Sequence, residues 1–132
     1  MPSHTFTVRT TRRNQLVDIT TEVTRFVTQH APIEGICSVY VPHATAGITI
    51  NENADPKVCD DILDALAKLV PQGVWRHDRV DGNADAHIKA SLIGSGQTIP
   101  IREGKLLLGT WRAIMLVELD GPRARSVHLT LR

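Results

Sequence analysis

Segments that read as strands and segments that read as helices fall into blocks along this chain, without the regular alternation that builds a parallel sheet. That order predicts an α+β fold: mostly antiparallel sheets forming a sandwich or a partly open barrel, with two to three helices on one face. Period-two alternation marks strands at residues 4–10 and 15–19, joined by a polar turn at 11–14. Thr20 is placed to cap a helix carrying Val23, Phe26 and Val27, which ends before Pro32 and Gly35. Strands follow at 36–41 and 48–51. Asp55 then opens a second helix, because its carboxylate can accept from free amides and the fixed φ of Pro56 suits a first turn. Val58, Ile62, Leu66 and Leu69 give that helix an apolar stripe. A shorter helix at 82–93 has Ile88 and Leu92 four apart, with Gly94 suited to a left-handed C-terminal position. The rest reads as antiparallel strands at 98–101, 106–110, 113–119 and 126–131, with turns at 102–105 and at Gly121-Pro122. Hydrophobic residues on both faces of 106–108 and 114–117 predict that one sheet face is covered by another subunit.

At 132 residues the chain reads as one domain, residues 1–132, long enough to bury roughly two-thirds of its unfolded surface without a disulfide or zinc staple. Fifteen basic and fourteen acidic side chains leave a formal charge of +1, so no overall field draws nucleic acid or an anionic membrane. Basic residues near the termini, such as Arg9, Arg12, Arg13 and Arg132, are not interleaved with aromatics, and nucleic acid is not an expected partner. Cys37 and Cys59 lack CxxC spacing and read as buried thiols of a reduced cytosol. No signal-like start and no apolar run near the roughly 18 residues of a membrane span are present, which predicts a cytoplasmic protein with no membrane contact.

Chemistry concentrates in three clusters. Residues 43–52 place an imidazole, two hydroxyls, an amide and a carboxylate in one turn and one strand. Pro42 ends the strand before them, Gly47 frees the backbone, and alternation puts Thr49 and Asn51 on one face with Ile48 and Ile50 toward the core. The second cluster is 81–87, where Asn83, His87 and Ser91 share a polar helical face. The third surrounds Glu118, Asp120 and Arg123. Asp81, Asn83 and Asp85 mimic the start of a calcium loop, but Ala86 and Leu92 replace the required glycine and bidentate glutamate. Gly94-Ser-Gly96 lacks the third glycine of a dinucleotide fingerprint, and no Walker lysine, HExxH or GxSxG occurs.

These clusters, extended to Gly82 through Gly94, Gly109-Thr-Trp-Arg112 and Glu118 through Arg123, resemble the ordered signatures of the YjbQ-like family over nearly the whole chain. Members are commonly labelled secondary thiamine-phosphate synthase enzymes. The resemblance implies an α+β homotrimer with a site built from His43, Asn51, Glu52, His77, Asn83, His87 and the segment from Glu118 to Arg123, with a divalent metal, Mg or Zn, as a candidate cofactor. Arg112 departs from the glutamine expected after Gly-Thr-Trp.

The implied reaction joins a pyrimidine pyrophosphate to a thiazole phosphate with loss of pyrophosphate. For it, His43, Asn51, Glu52, Asn83 and His87 are the expected catalytic residues, and Thr45, Lys89, Ser91, Trp111, Glu118, Asp120 and Arg123 the expected substrate contacts. Glu52, Asp78, Asp85, Glu118 and Asp120 are candidate magnesium ligands, and Arg123, with Arg125 and Lys89, candidate phosphate binders. A second reading joins His43, His77 and His87 in a three-nitrogen site with an open position, which selects zinc and suits a hydrolase. A third is a trimeric module that holds a small phosphorylated metabolite without turnover. Trp111 suits either stacking on a substrate ring or packing at a subunit interface.

Overall fold

A computed structural model describes residues 1–132 and builds them into two antiparallel sheets, three helices and one 3-10 turn. In chain order these are β1 (Ser3–Arg9), β2 (Gln15–Asp18), α1 (Thr20–His30), β3 (Gly35–Tyr40), β4 (Ala46–Glu52), α2 (Pro56–Leu69), the 3-10 turn (Arg76–Arg79), α3 (Ala84–Ile93), β5 (Gly96–Arg102), β6 (Lys105–Leu106), β7 (Arg112–Glu118) and β8 (Ala124–Leu131). One sheet runs β1-β8-β3-β5-β6 and the other β2-β7-β4. All six pairings are antiparallel, as the block order of the sequence demands. No helix is long and apolar enough to cross a membrane.

The main core lies where the two sheets face each other beside α1. Cys37, Val39, Val127 and Leu129 from the larger sheet meet Ile48, Ile114 and Leu116 from the smaller, with Val23, Phe26 and Val27 from α1. Period-two patterning explains this directly: along β8, Arg125, Val127, Leu129 and Leu131 are buried while Ser126, His128 and Thr130 are half-buried. In β4, Ile48 is fully buried and Ile50 packs on the same core, as expected. The 102–105 turn is a two-residue hairpin loop in which Glu103 and Gly104 both have positive φ, the geometry that matches strand twist.

Several expectations are corrected. β7 is buried on both faces by its own chain, not by a second subunit: Ile114 and Leu116 enter the main core, and Val117 packs with Leu119 against Ala86 and Ala90 of α3. The strand at 106–110 stops after Leu106, because the Leu108 N–H turns back to the Leu106 carbonyl at 2.9 Å, a γ-turn that ends extended pairing. Thr20 does not cap α1. Asp18 Oδ1 accepts from the Thr20 N–H, and the Thr20 hydroxyl accepts from the Ile114 N–H, tying the helix start to β7. The stripe on α2 does not enter the core, since that helix has no buried residue and Leu69 is 74% exposed. Asp55 does cap α2, accepting from the Lys57 N–H with Pro56 in the first turn. Cys37 is buried, and burial pushes its thiol up to about 11, but Cys59 is only half-buried.

Helix α3 is also turned differently. Its buried residues are Ala84, Asp85, Ala86, Lys89 and Ala90, while Leu92 is exposed and Ile88 faces a cavity. Alanine side chains let the helix lie close to β4 and pack on Val117 and Leu119, so small residues, not the large apolar pair, form the packed face. Gly94 follows with positive φ (94°) but an extended ψ of 154°, not the left-handed helical conformation. The end of α3 lies so near β4 that a Cβ on Gly47 would stand 2.7 Å from the Gly94 carbonyl oxygen, and the Ile48 N–H donates to that same oxygen at 3.1 Å. Glycine at position 47 is therefore what docks α3, and with it His87, onto the sheet.

Candidate functional site

Between the 3-10 turn and α3 lies a cavity of about 650 Å³ lined by Val74, Trp75, Arg76, His77, Ala84, His87 and Ile88. Its size falls within the range of small-molecule sites. Trp75 is fixed in place: its Nε1–H donates to the Pro71 carbonyl at 2.7 Å, and its backbone N–H to Asp78 Oδ2 at 3.0 Å. Asp78 Oδ1 accepts from the Ala84 N–H, so one carboxylate joins the turn to the start of α3. The His77 and His87 rings meet edge to face with centroids 5.1 Å apart, and His77 Nε2 lies 3.3 Å from Asp81 Oδ2. Apolar walls thus stand beside an indole, two imidazoles and a guanidinium.

His87 also borders a second cavity of about 210 Å³, lined with it by His43, Ala44, Ala90, Ser91 and Ser95. His43 Nε2 accepts the Ser126 N–H at 2.9 Å. Burial, and then the nearby Arg125 charge, hold its imidazole below the usual histidine pKa. The Ser91 hydroxyl donates to the His87 carbonyl at 2.9 Å.

Three expected ligand contacts belong instead to buried networks under these cavities. Glu118, fully buried, accepts from Thr10 Oγ1 (2.7 Å), Arg125 Nε (2.9 Å) and the N–H groups of Leu119 and Asp120, with Arg125 Nη2 also on Oε2. Burial raises its pKa, but hydrogen bonds from Arg125, Asp120 and Thr10 outweigh that and leave it below the usual carboxylate range. Arg125 Nη2 also donates to both oxygens of buried Thr45, so Thr45, Glu118 and Arg125 hold the His43 loop to β7 and β8. Lys89 is buried against Asp85, which also takes a two-pronged contact from Arg13 at 3.0 and 3.1 Å. Against the rise that burial causes, Arg13 and Lys89 bring the Asp85 pKa below its ordinary value. Lys89 and Arg125 are therefore occupied and unable to bind phosphate as expected. Asn83 ends its turn by donating to Asp120 Oδ2 at 2.9 Å, which Arg123 Nη2 also contacts at 3.0 Å.

Asn51, Glu52 and Trp111 are not brought to the cavities. Register pairs Ala46 with Glu118 at the cavity end of β4 and Glu52 with Arg112 at the other, about 20 Å away at roughly 3.3 Å per residue. The Asn51 side chain is tied to the Glu52 N–H, Trp111 is 66% exposed, and Arg112 is exposed beside it. The set of His43, His77 and His87 does not suit a metal. No three His, Cys, Asp or Glu side chains converge into a ligating group, and the only Nε2 lone pair of His43 is taken by Ser126. The candidate carboxylates fit magnesium no better: Asp78 caps α3, Asp85 and Glu118 are saturated, Asp120 is shared, and Glu52 is remote.

Trp75, Arg76 and Ser95 line the cavities although sequence reasoning does not single them out. The signal available for them is the Trp-Arg-His run between Gly73 and Asp78, whereas Trp111 stands out only because it sits in a longer motif.

Comparison with known proteins places this geometry in a family. Residues 4–132 match the family described as UPF0047 protein YjbQ-like. The UPF0047 protein MJ1081 of Methanocaldococcus jannaschii is 48% identical over 126 residues, covering 96% of this chain and 91% of that protein. The UPF0047 protein YugU of Bacillus subtilis is 41% identical, covering 96% of each. Among solved structures, an uncharacterized conserved protein of the same family from Clostridium acetobutylicum superposes with a TM-score of 0.94 at 48% identity, over 98% of this chain and 99% of that one. The hypothetical protein APE1520 from Aeropyrum pernix K1 gives 0.95 at 42% identity, over 100% and 98%. With a match that runs nearly end to end in sequence and in fold, the chain belongs to the YjbQ-like UPF0047 family.

Proposed function

We propose that this chain takes up a small, ring-bearing phosphorylated metabolite and acts as a secondary thiamine-phosphate synthase. The observation that carries the reading is the cavity of about 650 Å³ in which Trp75 offers an aromatic face while Arg76, His77 and His87 offer groups for an anion. In the reaction the thiazole nitrogen lone pair forms a C–N bond to the pyrimidine methylene carbon. The C–O bond to pyrophosphate breaks, and its electron pair leaves with the anion. No covalent nucleophile and no proton transfer are needed, so the protein has to align two rings and stabilise the departing charge. Trp75 orients a ring, Arg76 grips phosphate oxygens, and the paired imidazoles face the leaving group. The side chains of this chain form no ligand set for a divalent metal. The unburied apolar side of α2 supports assembly as a homotrimer, testable by light scattering, and the two free thiols suit the cytoplasm.

The test is calorimetric titration with each phosphorylated half-substrate, followed by pyrophosphate release with both. Trp75→Ala and His87→Ala each lower affinity at least about tenfold, roughly 1.4 kcal/mol, without moving thermal unfolding. Binding without turnover would reduce the reading to a metabolite-holding module. No binding of either compound overturns it.

A further inference from the structure

The smaller cavity has walls of an unusual kind. Ser126 N–H is only a donor, so His43 Nε2 must keep its lone pair to accept it, and the ring proton of the neutral imidazole then sits on Nδ1. A second proton on Nε2 would set N–H against N–H and break the bond. Nδ1 has no hydrogen-bond partner within the chain, and neither do the backbone N–H groups of Ala44 and Ser95 or the Ser95 hydroxyl. His87 makes no side-chain hydrogen bond either, and as a neutral ring it presents one N–H and one lone pair in either tautomer. Three backbone acceptors of the same lining residues are used: the His87 carbonyl takes the Ser91 hydroxyl, the Ala90 carbonyl the Gly94 N–H and the Ser95 carbonyl the Val41 N–H.

We infer that this cavity is an oxyanion site in which His43 serves as a neutral Nδ1–H donor, together with the Ala44 and Ser95 amides. Donors without partners in the chain suit a ligand that accepts hydrogen bonds, which is the chemistry of a phosphoryl group. At about 210 Å³ the space exceeds the roughly 30 Å³ share of one water several-fold, room for a tetrahedral anion. The shared His87 wall makes the two cavities halves of one bipartite site, with the ring and the anion held by Arg76 on the Trp75 side and a second phosphoryl group on the His43 side. This division rests on the proposed binding of a ring-bearing phosphate, whereas the oxyanion site itself stands on the His43 geometry alone.

Two measurements test it. Two-bond proton–nitrogen correlation on uniformly ¹⁵N-labelled wild-type protein at pH 7.5 is expected to give the Nδ1–H tautomer for His43. An Nε2–H tautomer or an imidazolium overturns the inference without any variant. Titration with inorganic phosphate is expected to shift the amide signals of Ala44 and Ser95, and shifts confined to sites outside the cavity overturn it. His43→Gln keeps an acceptor at the position of Nε2 while deleting the Nδ1–H, and is expected to weaken phosphate at least tenfold. Unchanged affinity overturns the proposal. Repeating the titration with the thiazole phosphate separates the two readings. If Trp75→Ala leaves that compound unaffected while His43→Gln weakens it, the oxyanion site stands and the ring pocket fails. Dependence on Trp75 with indifference to His43→Gln keeps the ring pocket and overturns the oxyanion site.

Discussion

Glu118 offers no oxygen to a ligand, since Thr10, Arg125 and two backbone amides occupy both of its acceptors in a site with no solvent exposure. Its neighbour in motif logic, Glu52, is half-buried at the far end of β4. The two carboxylates look alike in sequence, and their surroundings separate them. We expect Glu118→Ala to destabilise the fold by about 3–5 kcal/mol, because Arg125 is left as an uncompensated buried charge. Glu52→Ala should fall within about 0.5 kcal/mol of wild type. Urea unfolding of both variants measures the contrast, and equal losses would show that the buried network does not hold the His43 loop. At this scale the sequence makes the chemistry visible as clusters at 43–52, 81–87 and 118–123. It conceals which members are free, because Thr45, Lys89 and Glu118 owe their fixed places to networks whose other members, Arg125, Arg13 and Thr10, lie far away in the chain.

Among the elements, α3 decides the geometry of both cavities, and Gly47 decides where α3 sits. A methyl group at position 47 meets the Gly94 carbonyl oxygen at 2.7 Å and Ile93 Cγ2 at 2.8 Å, and a backbone atom cannot rotate away. We expect Gly47→Ala to cost about 1–3 kcal/mol through overpacking and to weaken ligand binding by displacing His87. As a control, Ala31→Gly should raise stability by about 0.5–1 kcal/mol, since Ala31 closes α1 in the left-handed region (φ 42°, ψ 48°) where glycine is at ease. Urea midpoints of both variants check these signs. Helix α2 is legible from Asp55-Pro56 and its apolar stripe. The turn of α3 is not, because periodicity favours Ile88 and Leu92 while packing on Val117 and Leu119 selects alanine.

For the whole molecule, acid is the informative stress. Glu118 and Asp85 titrate below their ordinary values, held there by hydrogen bonds from Arg125 and from Arg13 that outweigh burial. Burial also holds His43 below 6.5. In every case the unfolded chain binds more protons than the folded one, so stability rises with pH across these ranges. Stability is therefore expected to be fully present above the ordinary histidine value, to decline as pH falls through about 6.5, and to drop more steeply below about 4.5 as the carboxylates protonate. Urea midpoints from pH 8 to pH 3 measure the profile, and a midpoint that rises on acidification would refute the assigned directions.

The amino-acid sequence by itself determined the α+β class, the antiparallel pairing, the hairpin at 102–105 and the family motifs. Each of these follows from local periodicity or turn chemistry within a few neighbouring residues. Tertiary structure alone decided which polar groups remained available. Thr10 reaches Glu118, Arg13 reaches Asp85 and Ser126 reaches His43 across 108, 72 and 83 positions of the chain. A buried polar group must find a partner wherever the fold brings one. The Nδ1 of His43 is a group that this long-range pairing left without a partner in the chain.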